Sequence, residues 1–277
     1  MKTTKQYKTV IISDVHLGSE GSKAKEATLF LKSVSCETLI LNGDIIDSWQ
    51  LRKGSSWKKK HTAFFRIILK MIENQHTKVV YLRGNHDDFL DQIIPFSLGK
   101  SFTIQRDYIL KSGKKNFLII HGDIFDSVTS HMKWLAYMGD VGYTFLLTIN
   151  KLYNQYRTWR GLDYYSFSQR IKQKVKLAVN YISDFEEKLA ELAKANHCEG
   201  IICGHIHKPD IRQIGDITYM NSGDWVESLT ALVEDHRGNW ELLYFLKDNQ
   251  LDFTDDDLED DDNEGFSSMK AIYMSVA

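Results

Sequence analysis

The chain has 277 residues, of which 43% are hydrophobic, and its formal net charge is −2. This composition is typical of a globular protein with a sizeable core, and no apolar run approaches the ~20 residues that cross a bilayer. The three cysteines are odd in number and lack zinc-finger spacing, which favours free thiols in a reducing compartment. No signal-peptide pattern precedes the first apolar run, so we expect a cytoplasmic protein whose membrane contact is peripheral.

The charges are distributed unevenly along the chain. Residues 252–264 carry nine acidic side chains, and Lys270 is the single base after residue 251. Without this segment 34 bases face 28 acids, so the body is basic and suits an anionic substrate or an anionic membrane surface. We predict one domain over residues 1–250 and an acidic, disordered tail over residues 251–277.

Five short apolar runs recur along the chain, and each is followed by Asp, Asn or His. Each run predicts a buried strand, and open α/β sheets bind ligands outside the carboxyl ends of their strands. The sequence therefore predicts a site at this edge of a sheet. The runs and the residues that follow them are Thr9–Ser13 with Asp14 and His16, Leu39–Leu41 with Asp44, Val79–Arg83 with Asn85, Phe117–Ile120 with His121, and Gly200–Cys203 with His205 and His207.

Helices and a hairpin are predicted between these strands. Apolar periodicity indicates helices near residues 24–33 and 63–74. The basic segment over residues 52–61 is either a phosphate or membrane patch or a solvated helix start. Ser112–Lys114 predicts the turn of a hairpin, and residues 211–246 alternate as short strands.

The stretch from about residue 125 to residue 195 differs in composition, with helical periodicity and interleaved aromatic and basic side chains. Because it lies between two site-forming strands, one interpretation is a cap over the active site that binds a ligand with apolar and phosphate parts. The other interpretation is a helical layer that completes the core. In the first interpretation Arg157 and Arg160 bind phosphate, and Trp159 contacts the apolar part of the ligand.

The residues at the five strand ends are metal ligands by type. Nitrogen and oxygen donors without thiolate suit manganese, iron or zinc better than magnesium or calcium. Seven candidates are too many for one ion, and they fit two ions if Asp44 bridges them, since paired sites place the ions ~3.5–4 Å apart. The candidates are Asp14, His16, Asp44, Asn85, His121, His205 and His207.

At these residues the chain resembles the calcineurin-like metallophosphoesterase family, whose DxH, GDxxD, GNHD, later His and GHxH motifs are all present within residues 8–246. The resemblance implies an α/β fold, a two-sheet β-sandwich flanked by helices, here with the helical cap insertion. It also implies two divalent metals, for which we predict manganese, with iron and zinc as alternatives. One ion would be held by Asp14, His16, Asp44 and His207, and the other by Asp44, Asn85, His121 and His205.

The resemblance also implies catalytic roles for two residues of the GNHD motif. His86 would donate a proton or stabilise the transition state, and Asp87 would orient His86. The expected mechanism is hydrolysis by a metal-activated water without a covalent enzyme intermediate.

Within the family the chain is most similar to the UDP-2,3-diacylglucosamine pyrophosphohydrolase group of lipid A biosynthesis. The SDVHLG, GNHDDF and IIHGD stretches and the helical insertion carry this similarity. The expected substrate is then a nucleotide-sugar lipid, cleaved to UMP and an acylated sugar phosphate by an enzyme on the cytoplasmic face of the inner membrane. One departure is that the best-known branch of the group has Arg at the position of His86.

Two alternatives stay open at this point. One is a phosphodiesterase or nucleotidase that acts on soluble nucleotides, which the histidine at position 86 favours. The other is a non-catalytic scaffold, which the complete ligand set disfavours. No nucleic-acid partner is expected, and the sequence leaves the oligomeric state open.

Overall fold

Two β-sheets packed face to face make up the body of the molecule in this computed structural model, which describes residues 5–124, 156, 157, 159, 160 and 182–245. The strands are β1 (Lys5–Ile12), β2 (Val34–Asn42), β3 (Lys78–Leu82), β4 (Phe96–Leu98), β5 (Phe102–Gln105), β6 (Asp107–Ser112), β7 (Lys115–Ile120), β8 (Gly200–Cys203), β9 (Asp210–Ile214), β10 (Ile217–Asn221), β11 (Thr230–Glu234) and β12 (Trp240–Tyr244). The helices are α1 (Ala24–Ser33), α2 (Ser48–Arg52), α3 (Lys59–Gln75), a 3₁₀ helix (Asn85–Gln92) and a helix over 182–195.

The first sheet has seven strands in the order β12-β11-β1-β2-β3-β5-β4, and the second has five in the order β6-β7-β8-β10-β9. In the first sheet β1, β2, β3 and β5 are mutually parallel neighbours. In the second sheet β7, β8 and β10 are parallel neighbours. The remaining strands pair antiparallel at the flanks of each parallel core.

The alternation of side chains along each strand divides the core into layers. Ile11 and Ile40 point into the space between the sheets, whereas their neighbours Val10 and Leu39 face α1 and α3. Because successive strand residues point to opposite faces, an unbroken apolar run fills both layers at once. The residues buried between the sheets are Ile11, Ile40, Val80, Leu82, Leu110, Phe117, Ile119, Ile202, Met220 and Leu232.

The outer face of the second sheet is covered by the 182–195 helix. Phe185, Leu189 and Ala193 of this helix are buried in one cluster with Ile201 and Tyr219 of the sheet. Helices therefore cover the outer faces of both sheets among the described residues. None of the helices described is both long and apolar enough to cross a bilayer.

The predicted two-sheet sandwich flanked by helices is confirmed. The helix predicted over residues 24–33 has those bounds, whereas α3 begins four residues before the predicted 63–74 helix. Its first residues are lysines, which give no apolar signal, and the His61 Nδ1 atom accepts a hydrogen bond from Lys58 N–H at the helix start (3.2 Å). The short strands β4 and β5 were not predicted.

Two predicted segments lie wholly or mainly outside the described residues. The cap insertion over 125–195 is described at residues 156, 157, 159 and 160 and from residue 182 onward. The acidic tail over 251–277 lies outside the described residues altogether. The division into domain, cap and tail therefore stays a prediction.

Candidate metal centre

The candidate metal centre lies where the carboxyl ends of five strands meet. Three of these strands, β1, β2 and β3, are parallel neighbours in the first sheet, and β7 and β8 are parallel neighbours in the second. Because parallel neighbours end at one edge of a sheet, the residues that follow them converge. The structure brings together three groups of acids and histidines, namely Asp14, His16 and His207; His16, Asp44 and His86; and Asp44, His121 and His205.

The backbone at this edge adopts a conformation that L-residues rarely use. Five of the seven predicted ligands have φ between 50° and 68°, in the left-handed region. Such residues cost of order 1–3 kcal/mol each and persist where the surrounding structure holds them, as in binding sites. The backbone strain therefore falls on residues that the motifs single out. The five residues are Asp14, His16, Asp44, His205 and His207.

Asp44 lies between the two sheets and is 2% exposed. Its Oδ1 atom accepts a hydrogen bond from the His86 main-chain N–H (2.8 Å). Its Oδ2 atom lies 3.2 Å from His121 Nε2 and 3.9 Å from His16 Nε2. One oxygen of Asp44 therefore faces histidines of both sheets, which is the position that a bridging ligand needs.

Asp14 is fixed in a similar way. Its Oδ2 atom accepts a hydrogen bond from the His205 main-chain N–H (3.0 Å). Its Oδ1 atom lies 3.1 Å from His207 Nε2 and 3.9 Å from His16 Nε2, yet accepts no well-directed hydrogen bond from the described residues. This buried oxygen is thus oriented toward two imidazoles and is free to bind a cation.

The electrostatics of the site favour positive charge. Burial opposes ionisation of both Asp14 and Asp44. Nevertheless, His207 and His121 hold the pKa of Asp14 well below its usual range, and His121 does the same for the pKa of Asp44. Burial likewise disfavours a charged His121, yet Asp44 and Asp14 raise the pKa of its imidazole to about 10. A bound cation would neutralise the same two carboxylates in place of the proton on His121.

The donor atoms fit a divalent metal ion. In each of the three groups the donor atoms lie within 4.8 Å of one another. Asn85 Oδ1 and His207 Nδ1 are buried without a hydrogen-bond partner among the described residues, as expected of atoms near an ion. His121 Nδ1 lies 2.9 Å from the Asn42 carbonyl, which directs Nε2 toward Asp44. The assignment of individual ligands stays a prediction.

His86 lies at the rim of this centre, in contact with two residues of the loop and helix after β2. Its Nδ1 atom lies 3.0 Å from Asp47 Oδ1. The Trp49 ring stacks on the imidazole, with centroids 4.2 Å apart and planes tilted by 32°. Asp47 is the N-cap of α2, where its Oδ1 also accepts a hydrogen bond from Gln50 N–H (3.0 Å), so the carboxylate is fixed. Sequence reasoning missed the contact with Trp49.

Asp87 makes different contacts from those that its position beside His86 suggests. Its Oδ1 atom accepts hydrogen bonds from Ile46 N–H (2.9 Å) and from the Tyr81 hydroxyl (2.9 Å). Burial raises the pKa of its carboxyl to about 7. The orienting role predicted for Asp87 is therefore corrected, because the acid at His86 Nδ1 is Asp47, and Asp87 holds the loop after β2 against the loop after β3.

Two glycines of the motifs leave room for the carboxylates. A Cβ atom on Gly84 would lie 2.3 Å from Asp44 Oδ1, and one on Gly204 would lie 2.5 Å from Asp14 Oδ2. Both distances are shorter than any side chain permits, so the loops after β3 and β8 approach the carboxylates only with glycine at these positions.

A sixth strand end supports the centre and was not predicted. Asn221, the last residue of β10, donates a hydrogen bond to the Gly204 carbonyl (2.8 Å), and the hydroxyls of Ser13 and Ser222 lie 2.7 Å apart. The signal was present in the sequence, because residues 217–220 are a mainly apolar run followed by Asn, Ser, Gly and Asp.

The predicted substrate-binding residues form a short helical turn. Arg160 N–H donates to the Tyr156 carbonyl (3.1 Å), and the Tyr156 and Trp159 rings lie 6.2 Å apart. Trp159 is 79% exposed. The roles of Arg157, Trp159 and Arg160 in substrate binding stay predictions.

Comparison with known proteins gives a consistent result. The model of the calcineurin-like phosphoesterase family matches residues 7–209, which include all seven predicted ligands. A curated relative from Shewanella frigidimarina, named UDP-2,3-diacylglucosamine hydrolase, is 21% identical over 253 residues, 83% of this chain and 94% of its own length. A second of that name, from Shewanella loihica, is 25% identical over 249 residues, 81% of this chain and 91% of its own length.

Among solved structures, a novel archaeal phosphodiesterase is similar to this chain at 14% identity, with a TM-score of 0.40. The match covers 85% of this chain and 98% of that protein.

Proposed function

Because the chain belongs to the calcineurin-like phosphoesterase family, we propose that it hydrolyses the pyrophosphate of UDP-2,3-diacylglucosamine to UMP and the acylated sugar 1-phosphate. Membership makes the chain a metal-dependent phosphoester hydrolase. The observation that carries the proposal is the convergence of two buried carboxylates and five histidines on one edge of the sandwich. The names of the curated relatives support the choice of substrate.

The proposed cofactor is a pair of divalent ions, with manganese as the first choice and iron or zinc as the other candidates. When bound, such a pair lowers the pKa of a water molecule and neutralises charge on the phosphoryl oxygens. Asp44 Oδ2 is the proposed bridge, because it faces His121 and His16 at once. The residues proposed to hold the ions are Asp14, His16, Asp44 and His207 for one, and Asp44, Asn85, His121 and His205 for the other.

His86 is the proposed proton donor. Its Nδ1 atom faces Asp47, so that carboxylate pairs with the doubly protonated form of the imidazole, in which Nδ1–H donates to Asp47. The Nε2–H of this form then gives its proton to the leaving oxygen as the phosphorus–oxygen bond breaks, and the imidazole becomes neutral. The stacked Trp49 ring limits rotation of the imidazole and shields one of its faces from water. Asp47 also lies 3.6 Å from His16 Nδ1, so a single carboxylate orients both histidines.

The insertion over residues 125–195 is proposed to bind the acyl chains and the diphosphate. Each buried CH₂ contributes about 0.8 kcal/mol, so a partly enclosed acyl chain supplies several kcal/mol of binding. Arg157 and Arg160 suit phosphate oxygens because a guanidinium binds them in pairs, and Trp159 offers an exposed apolar surface.

An enzyme with this substrate needs access to the bilayer, and we propose a peripheral contact with the anionic, cytoplasmic face of the inner membrane. The exposed Trp57 side chain lies in a segment that carries Arg52, Lys53 and residues 58–60, all basic. Co-sedimentation with phosphatidylglycerol vesicles but not with phosphatidylcholine vesicles is expected, and equal sedimentation with both would contradict an electrostatic contact.

The substrate is tested with the full-length, manganese-loaded protein on UDP-2,3-diacylglucosamine in mixed micelles and on bis(p-nitrophenyl) phosphate. We expect kcat/KM for the acylated substrate to be at least ~10²-fold higher, since four buried CH₂ groups already supply roughly that factor. Release of UMP is measured by chromatography. Hydrolysis of the soluble diester without this preference would favour the soluble-nucleotide alternative.

The role of the insertion is tested by Arg157→Ala, Arg160→Ala and Trp159→Ala. Each is expected to impair turnover of the acylated substrate far more than that of the soluble diester. Arg237→Ala, in the exposed turn between β11 and β12, is the matched control. Equal losses on both substrates would mean that the insertion only supports the fold.

A further inference from the structure

A polar cavity of about 540 Å³ is lined by residues of the loop after β1, which follows the predicted ligands Asp14 and His16 in the chain. It lies between the loop after β1 and the segment that joins α2 to α3. Its volume falls within the ~300–1,000 Å³ of small-molecule sites. The residues that line it include Gly18, Ser19, Glu20, Gln50, Ser56 and Lys58.

Each wall of the cavity belongs to a segment that also contacts the candidate metal centre. Ser19 N–H donates a hydrogen bond to the carbonyl of His16 (3.0 Å), a predicted metal ligand. On the opposite wall Gln50 follows Trp49, whose ring stacks on His86. The loop that carries His16 and the helix that carries Trp49 therefore each supply part of the cavity lining.

The lining selects the class of group that the cavity can hold. Hydroxyls, an amide and glycine backbone form most of the walls, so an acyl chain would gain little from burial there. Glu20 and Lys58 are the charged residues of the lining. Their formal charges cancel, so the cavity does not attract a further phosphate. Within the described ranges the Gln50 amide makes no hydrogen bond, which leaves donors and acceptors for a neutral polar ligand.

We propose that this cavity binds the nucleoside part of a nucleotide whose phosphate lies at the metal centre. The inference rests on the proposed function and deepens it, because it assigns the uridine half of the substrate to the loop after β1 and leaves the acyl half to other surfaces. A pyrimidine or purine nucleoside has the hydroxyls and ring polar atoms that this lining can pair.

The test is calorimetric titration of the full-length, manganese-loaded protein with UMP, AMP and ribose 5-phosphate. UMP or AMP is expected to bind at least tenfold more tightly than ribose 5-phosphate. Gln50→Ala is expected to weaken nucleotide binding about three- to tenfold, the loss of one neutral hydrogen bond. Ser56→Trp, which fills the cavity from an exposed position, is expected to abolish the nucleotide preference.

The controls are Lys59→Ala and Ser101→Trp, exposed positions outside the lining, which are expected to bind all three probes as the wild type does. Equal affinity of the wild type for nucleotides and ribose 5-phosphate would overturn the proposal, and so would an equal loss for all probes in Gln50→Ala and Ser56→Trp. Failure to hydrolyse the acylated substrate with the nucleotide preference intact would reject the lipid substrate and leave the cavity assignment in place.

Discussion

The two sheets make unlike contributions to the candidate metal centre. The first sheet contributes every carboxylate and the amide, so it carries the negative charge of the site. The second sheet contributes imidazoles alone. Because the donor atoms come from separate sheets, the site exists only when the sandwich is closed, and a cation bound between the sheets stabilises the closed form. The first sheet contributes Asp14, His16, Asp44 and Asn85, and the second contributes His121, His205 and His207.

Each sheet also orients the ligands of the other. The main chain of His205, from the second sheet, donates to Asp14 of the first. The His121 side chain, from the second sheet, contacts the Asn42 carbonyl of the first. The geometry of the centre is therefore a property of the interface between the sheets.

The largest effect is expected from replacing the proposed bridge. Asp44→Asn should lose both ions, because a neutral amide replaces the carboxylate that faces histidines of both sheets. Activity should fall by more than the ~10–100-fold loss that is typical when a residue hydrogen-bonded to a metal ligand is replaced. His205→Ala removes one proposed side-chain ligand but keeps the main-chain hydrogen bond to Asp14, so it should lose one ion and keep the other. Metal content per chain is measured by mass spectrometry after dialysis. One ion per chain in the fully active wild type would contradict the bridge.

A smaller effect is expected at the rim of the centre. His86→Ala should keep both ions and lower kcat by ~10²–10⁴, the range for a positioned proton-transfer group. Asp47→Asn should lower kcat less, because the imidazole remains but its charged form loses a carboxylate. If His86→Ala loses metal instead, His86 is a ligand, as its grouping with His16 and Asp44 would allow.

The charge difference between the sheets predicts a pH dependence of metal binding. Asp44 and Asp14 raise the pKa of His121 from 6.5 to about 10, so the metal-free protein holds a proton there at neutral pH. A metal must displace that proton, and its affinity should rise about tenfold per pH unit for each proton released until the pH reaches the raised pKa. Calorimetry in buffers of different ionisation enthalpy measures the release. Binding without proton release would contradict the prediction.

The stability of the metal-free protein should depend on pH in the opposite direction. Because the pKa of His121 is higher in the folded protein, the stabilising ion pair is complete below about pH 6.5 and is lost as the pH rises through about 10. Chelated protein should therefore melt at a higher temperature at pH 7 than at pH 10, with His121→Gln reducing the difference.

The smallest effect is expected away from the metal, where the sheets are joined by hydrogen bonds. Ser112 of the second sheet donates to the buried Glu234 of the first (2.6 Å), which also accepts from Thr9 and Lys8. Ser112→Ala should lower the free energy of unfolding by ~1.5–3 kcal/mol, the range for a hydrogen bond to a charged group, and leave metal content unchanged. Exposed Ser101→Ala is the control, and an unchanged urea midpoint would contradict the estimate.

The sequence by itself determined the parts of this protein that depend on local pattern. Each of the strands β1, β2, β3, β7 and β8 is an apolar run that ends at a polar motif, so both the strand and its exit could be identified without knowledge of strand order. The motifs also carried the resemblance that the family match confirms. The two-sheet sandwich followed from that resemblance.

Only the tertiary structure decided which residues contact one another. Asp47 and Asp87 both belong to the sequence motifs, and the packing of the loop after β2 against the loop after β3 places Asp47, rather than Asp87, at His86 Nδ1. The support from β10 likewise joins Ser13 to Ser222, which are 209 positions apart. Side-chain periodicity indicates which residues are buried. Contacts between residues far apart in the sequence depend instead on which strands are neighbours, and the packing of the whole core determines that order.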